Sequence, residues 1–339
     1  MITLLIAGLM WLLVVSLLIL RRGRAERNIS WAALTIAIAT TLNTDQAYEA
    51  LDRFAGGTNT VTLVADVALM VGIFFLGRGV MKASEHPSGT VRHALGRFAL
   101  MVALAGAVAM FTLIDRGVTT TSFMLDLGEQ PAAAAYSMIQ FAYYAIVLSA
   151  MAALAARQVR TIGGLQQWPP ASLLFGSGCG IALSAVVIAL DIAHVVGNLS
   201  VMRAVSVAYE PLHLLTFVFL CLGFAGQPAA RAWQARSRAR ATRTLVAELE
   251  PIWEAATTMR PGIRQIEEAA VPTDELETLL HRQVVEIRDA MIDTRVSFEV
   301  SDRERELIER AERHLLGAGP TESAAITSPA ATEKGLQQR

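Results

Sequence analysis

Charge is scarce in this chain. Only 17% of its 339 residues are charged while 53% are hydrophobic, and the shortage is concentrated before residue 227. Such a depletion excludes the ordinary soluble globular class and points to a membrane protein. Cysteine is scarce as well: Cys179 and Cys221 both lie in apolar runs, which gives no basis for a disulfide framework. Signatures of soluble catalysis are missing. The sequence has no HExxH, no GxSxG, no glycine-rich phosphate loop and no Cys/His zinc spacing, so no enzyme, cofactor or resident metal is expected. The net charge of −1 averages two unlike parts and gives no sign of a nucleic-acid partner. No internal repeat of the kind many transporters carry is evident.

What the chain has in abundance is apolar runs. About seven windows approach the roughly 20 residues needed to cross ~30 Å of hydrocarbon. They centre on 2–20, 30–47, 60–81, 97–114, 132–156, 171–195 and 205–226. The first has no basic residue before it and no small-x-small site behind it, so it reads as an uncleaved anchor. The second is the weakest, since Thr40, Thr41, Asn43 and Asp45 interrupt its outer half. Alternate loops carry the basic residues. Arg21, Arg22, Arg24 and Arg27, then Lys82, Arg92 and Arg97, then Arg157 and Arg160 fall on one side; only Arg53, Arg116 and Arg203 fall on the other. That asymmetry predicts a multi-pass plasma-membrane protein with its amino terminus outside and its carboxyl terminus cytoplasmic. Small residues at Gly176 and Gly180, and at Ala103 and Ala107, predict close helix contacts.

The fold class expected is therefore all-α: a polytopic membrane bundle over 1–227, a small helical cytoplasmic domain over 228–316 and a disordered tail over 317–339. The cytoplasmic part opens with Arg231, Arg236, Arg238, Arg240 and Arg243, with no acid before Glu248. Such a run suits anionic lipid headgroups, and equally suits a plain stop-transfer flank. A helix is predicted over about Thr273 to Thr294, with Leu276, Leu280, Val284, Ile287 and Met291 as its apolar stripe. Another opens at Ser301, where Glu304 three residues on completes a capping box.

Two stretches of this region, EPIW at Glu250–Trp253 and LLHRQVVEIRDA at Leu279–Ala290, are similar to the carboxyl-terminal domain of an actinobacterial family of seven-span membrane proteins. The positions that match are Pro251 and Trp253, then His281, Arg282, Val284, Val285 and the run Glu286 to Asp289. The family is described only as transporters, and its cytoplasmic domain has no assigned function; the resemblance implies the seven-span layout and this domain. On a helix, Arg282 reaches Glu286, while Glu286, Arg288 and Asp289 are expected to point away from the apolar stripe. Arg282, Glu286, Arg288 and Asp289 thus form a candidate docking surface for a cytoplasmic partner or a second copy, with a solvated helix face as the alternative.

Ionisable residues inside spans mark candidate sites. Asp191, His194 and Asn198 share one face of the sixth span, and Glu210 with His213 is expected opposite them, at a depth set by a kink at Pro211 inside a helix starting near Ala204. Asp66 and Gln140, with Tyr143 and Tyr144, are candidate neighbours. The set Asp66, Gln140, Asp191, His194, Glu210 and His213 admits three working readings: a divalent metal held by facing acid-x-x-His pairs, a proton path, or an outward cavity for a small polar solute. Polar helix ends wetted by headgroups and water remain a fourth. The two functional classes that follow are a transporter of unknown substrate and a membrane sensor or scaffold signalling through its cytoplasmic domain.

Overall fold

The computed structural model describes residues 2–20, 27–82, 88–121, 123–161, 163–259, 273–293 and 298–316. Among these no strand occurs, and the all-α expectation holds. The basic residues at 21, 22 and 24, the side chain at 27, the end of the predicted helix at 294 and the tail 317–339 lie outside the described residues.

The chain divides into two compact units, Met1–Arg231 and Ala232–Arg339. In the first, the helices in order are α1 (Ile2–Leu20), α2 (Arg27–Leu42), α3 (Asp45–Phe54), α4 (Thr60–Lys82), α5 (Gly89–Ala94), α6 (Arg97–Thr112), α7 (Phe123–Leu127), α8 (Pro131–Thr161), α9 (Trp168–Val195), α10 (Leu199–Ser206) and the start of α11 (Tyr209–Met259). Five helices are long and apolar enough to cross a membrane: α1, α4, α8, α9 and the apolar start of α11. Two more, α2 and α6, are apolar but only 16 residues long, about 24 Å at 1.5 Å per residue. These helices are what a multi-pass membrane protein requires.

Two departures from expectation shape this unit. The second apolar window does not run on to residue 47. α2 stops at Leu42, and the polar residues that follow fold back as the amphipathic α3, burying Tyr48 and Asp52. The last window does not begin near Ala204 either. The short α10 ends at Ser206, a turn intervenes, and α11 starts at Tyr209. Pro211 therefore occupies the first turn of α11, where a missing N–H costs nothing, and the interruption of the helical run falls just ahead of it, at Val207 and Ala208.

Helix contacts follow the small residues. A Cβ at Gly176 would lie 2.9 Å from the backbone nitrogen of Leu220, so α9 and α11 touch backbone to backbone there. Gly180 meets Leu148 of α8 and Thr216 of α11, whereas Gly178 faces open space. The predicted small-residue stripe is thus the seat of the α9–α11 contact. Ala103 and Ala107 are buried in α6.

A polar clasp ties segments together at one end of the bundle. The Asp52 carboxylate accepts from the amides of Asn59 (2.9 Å) and Val61 (3.1 Å) and from the Thr119 hydroxyl (2.7 Å). Asn59, at φ 58°, donates to the carbonyls of Arg116 and Val118 and accepts from the Tyr48 hydroxyl and the Thr120 amide. Asparagine tolerates this left-handed backbone, and here its amide ties the start of α4 to the 116–120 loop. Burial opposes charge on Asp52, but the Thr119 hydroxyl and the backbone amides of Val61, Asn59 and Thr60 outweigh it and hold its carboxyl below the usual range.

The second unit has its own core. Leu245, Leu249, Ile252 and Trp253 of α11 pack with Leu280, Val284 and Ile287 of α12 (Thr273–Ile292) and with Ile308 and Ala311 of α13 (Asp302–Leu315). The capping box opens α13 as expected: Ser301 accepts from the Glu304 amide, and the Glu304 carboxylate accepts from the Ser301 amide at 2.8 Å.

Candidate functional site

The first unit encloses a cavity of about 270 Å³. Its walls come from α1, α2, α4, α7, α8, α9 and the start of α11, and they include Asp66, Gln140 and His213 from the predicted set. Among the described lining residues Asp66 is the only carboxylate, and there is no lysine or arginine. The Tyr136 hydroxyl donates to Oδ2 of Asp66 at 2.7 Å, and Nε2 of Gln140 donates to the same oxygen at 3.2 Å. Both come from α8 at an i,i+4 spacing, which presents them on one helix face. The rings of Phe111 and Phe123, with centroids 5.4 and 6.3 Å from that of Tyr136, hold the phenol in place.

Opposite stands an aromatic ladder on the first turns of α11. Tyr209, His213 and Phe217, each four residues apart, follow one another at centroid distances of 5.4 and 5.3 Å. A second cavity of about 250 Å³ shares Asn43, Thr62, Tyr209 and His213 with the first, and adds Thr3, Thr40, Asp45, Tyr48, Thr120 and Thr121. It is a polar vestibule next to a mainly apolar chamber. It gathers the start of α1, the end of α2, the start of α4 and the start of α11, so it lies at the same end of the bundle as the Asp52–Asn59 clasp.

The remaining predicted residues go elsewhere. Asp191 is buried at the α8–α9 contact beside Ser137; its Oδ2 and the Ser137 Oγ otherwise lack partners. His194 packs on Gly128, where an added Cβ would come within 2.6 Å of Nδ1. Glu210, in the first turn of α11, is exposed. The expected four-residue face of Asp191, His194, Glu210 and His213 does not form: His213 lines the chamber, Glu210 is exposed, His194 meets Gly128 and Asp191 lies beside Ser137. Among the described residues no three of His, Cys, Asp or Glu converge as metal ligands.

Sequence reasoning missed Tyr136, the principal partner of Asp66, and the vestibule residues Tyr48 and Thr62. One signal was available. The chain has five tyrosines, at 48, 136, 143, 144 and 209, and four of them line the chamber or its vestibule; Tyr143 does not.

In the second unit the candidate docking cluster is largely turned inward. Glu286 is 6% exposed and accepts from Trp253 Nε1 at 2.5 Å and from Arg282 Nε at 2.7 Å. Arg288 grips Glu312 of α13 through two hydrogen bonds, at 2.7 and 2.9 Å. The Glu312 carboxylate accordingly pushes the Arg288 guanidinium above its ordinary value. The expectation that Glu286 and Arg288 face outward is thus corrected: a 20-residue helix covered on two sides, by α11 and by α13, has few free faces. Asp289 alone of the four is exposed. Of the basic run, Arg238 pairs with Glu277 at 2.8 Å, while Arg236, Arg240 and Arg243 are exposed and share a face at offsets of four and seven.

Residues 232–338 match the model of a family of unknown function, DUF6545. The match covers the second unit and contains both Trp253 and Glu286. No curated protein and no solved structure matches the chain.

Proposed function

We propose that the first unit is a seven-span membrane domain with its amino terminus outside, in which the chamber around Asp66 binds a small solute entering through the vestibule, as in a transporter. The observation that carries this reading is the Asp66 carboxylate held by Tyr136 and Gln140 on the wall of a largely apolar cavity. A carboxylate inside a span is costly unless it is paired or meets water or ligand, so it marks a functional position. The vestibule supports an outward opening, because the connections at its end carry Arg53, Arg116 and Arg203 whereas the opposite connections hold the larger basic excess. α2 and α6 complete seven crossings if the bilayer thins or neighbouring helices shield their ends.

The second unit supports another reading, a sensor or scaffold, because it has its own core and internal ion pairs. Its exposed Arg236, Arg240 and Arg243 suit anionic headgroups on the cytoplasmic side, and its exposed Asp289 remains open to a protein partner or a second copy.

The test is the unfolding temperature of the full chain in detergent across a panel of small polar solutes, for wild type and Asp66→Asn. A ligand that binds the folded state raises stability by mass action. A solute that shifts wild type and not the variant supports the solute site; a panel that shifts neither removes it and leaves the sensor reading.

A further inference from the structure

The chamber combines one carboxylate, Asp66, with aromatic rings on a largely apolar wall. Both donors to Asp66 meet Oδ2, and among the described residues Oδ1 takes no hydrogen bond. Among the described residues no hydrogen bond or ion pair joins Asp66 to His213 or to any arginine or lysine. An ionised carboxylate in so dry a place calls for a positive partner. The described residues do not supply one.

Aromatic faces surround the same space. Tyr136 and Tyr144 from α8, with Tyr209 and Phe217 from α11, line the chamber, and π faces attract a cation within about 6 Å of the ring centroid. Tyr144 is 5% exposed, lines the chamber, and has a hydroxyl with no hydrogen-bond partner among the described residues. A buried hydroxyl left unpaired carries a desolvation cost that a ligand's N–H would relieve. Much of the rest of the wall is aliphatic and thioether, as at Met10, Leu13, Ile73 and Met151, with Asn43, Thr62, Ser137, Ser184 and Thr216 as uncharged polar groups. At about 270 Å³ the chamber falls just under the ~300–1,000 Å³ of drug-sized sites, so its occupant is small.

We infer that the chamber binds a small protonated amine with an apolar body, its ammonium group on Asp66 Oδ1 and the Tyr144 hydroxyl, its body against the aromatic and methionine wall. This rests on the solute-site reading above and names its ligand class. An anionic solute is disfavoured, since among the described residues no lysine or arginine lines the wall to meet it. A strongly hydrated sugar would leave many polar groups unmatched.

The experiment uses the full chain in detergent and reads unfolding temperature against concentration of phenethylamine. Phenethyl alcohol serves as the uncharged partner of the same shape, and sodium chloride as a bare cation. The inference expects a saturable rise with the amine, little with the alcohol or the salt, and amine affinity weakened about thirtyfold or more in Asp66→Asn, the scale of a lost buried charge contact. Should Asp66→Asn fail to fold, Tyr144→Phe carries the test: amine binding should weaken several-fold while any alcohol binding stays unchanged. Equal stabilisation by the alcohol, or undiminished amine binding in Asp66→Asn or Tyr144→Phe, overturns the amine assignment while leaving a solute site. A shift with sodium alone that is lost in Asp66→Asn overturns it in favour of an inorganic cation. Silence from all three probes while another solute of the panel shifts wild type overturns the ligand class alone; silence from the whole panel overturns the solute site with it.

Discussion

The Tyr136 hydroxyl donates to Oδ2 of Asp66 at 2.7 Å across the contact between α8 and α4. With Gln140 one turn along, it fixes the carboxylate against a single helix face and leaves the other oxygen to the chamber. The bond is both a structural tie and the element that orients the proposed site. Tyr136→Phe removes it while keeping the ring between Phe111 and Phe123. The variant should lose roughly 1–2 kcal/mol, the range for interhelical hydrogen bonds in membranes. Equilibrium unfolding in mixed detergent checks this, and an unchanged midpoint would show that the bond is not formed.

Gly176 and Gly178 separate a packing role from mere composition. Gly176→Ala places a methyl group 2.9 Å from the Leu220 backbone nitrogen, and backbone cannot swing aside as a side chain can. It should cost about 1–3 kcal/mol, as overpacking does, whereas Gly178→Ala meets open space and should be neutral or slightly stabilising. Equal effects in a thermal unfolding assay would contradict the α9–α11 contact.

The Asp52 clasp has a defined pH signature. Its carboxyl is held below the usual range despite burial, because the Thr119 hydroxyl and three backbone amides favour the charged form. A group whose folded pKa is depressed contributes stability that is complete above the unfolded carboxylate value of about 3.9 and fades as pH falls through the folded value. The stability difference between wild type and Asp52→Asn should therefore be largest near neutral pH and shrink below about pH 4. A difference that does not change with pH would rule out an ionised Asp52 in the clasp.

Within residues 232–316, Glu286 and Asp289 are three positions apart and should behave oppositely. Glu286→Ala strands the Trp253 Nε1–H and the Arg282 guanidinium, and should cost about 3–5 kcal/mol, the range for breaking a buried pair. Asp289 is exposed, so Asp289→Ala should stay within about 0.5 kcal/mol. Chemical denaturation of the full chain, followed by Trp253 fluorescence against a Trp253→Phe control, distinguishes them. Equal, small effects would return Glu286 to the surface.

Those predictions also mark where the sequence was legible. The apolar helices, the stripe from Leu276 to Met291 and the Ser301–Glu304 box could be read because each follows from local periodicity or capping chemistry within a single element. The inward Asp66 and Gln140 were legible because a polar residue among apolar neighbours is conspicuous. What failed depended on helix boundaries. A five-residue shift in the start of α11, from near Ala204 to Tyr209, makes Pro211 an ordinary first-turn proline, and Glu210 beside it is exposed. Glu286 failed for another reason. Its charge suggests the surface, and only the position of Trp253, 33 residues earlier, reveals a buried acceptor. Tyr136 was hidden because a tyrosine in an apolar helix looks like packing until its hydroxyl finds a partner 70 residues away.

The claim on which the rest depends is that the vestibule opens to the outside. Single cysteines introduced in a chain carrying Cys179→Ala and Cys221→Ala, and exposed in intact cells to a membrane-impermeant maleimide, test it most directly. The account predicts that Asn43→Cys in the vestibule reacts in intact cells, while Arg236→Cys reacts only after the membrane is made permeable. The reverse pattern, with Arg236→Cys labelled from outside and Asn43→Cys protected until permeabilisation, would contradict it.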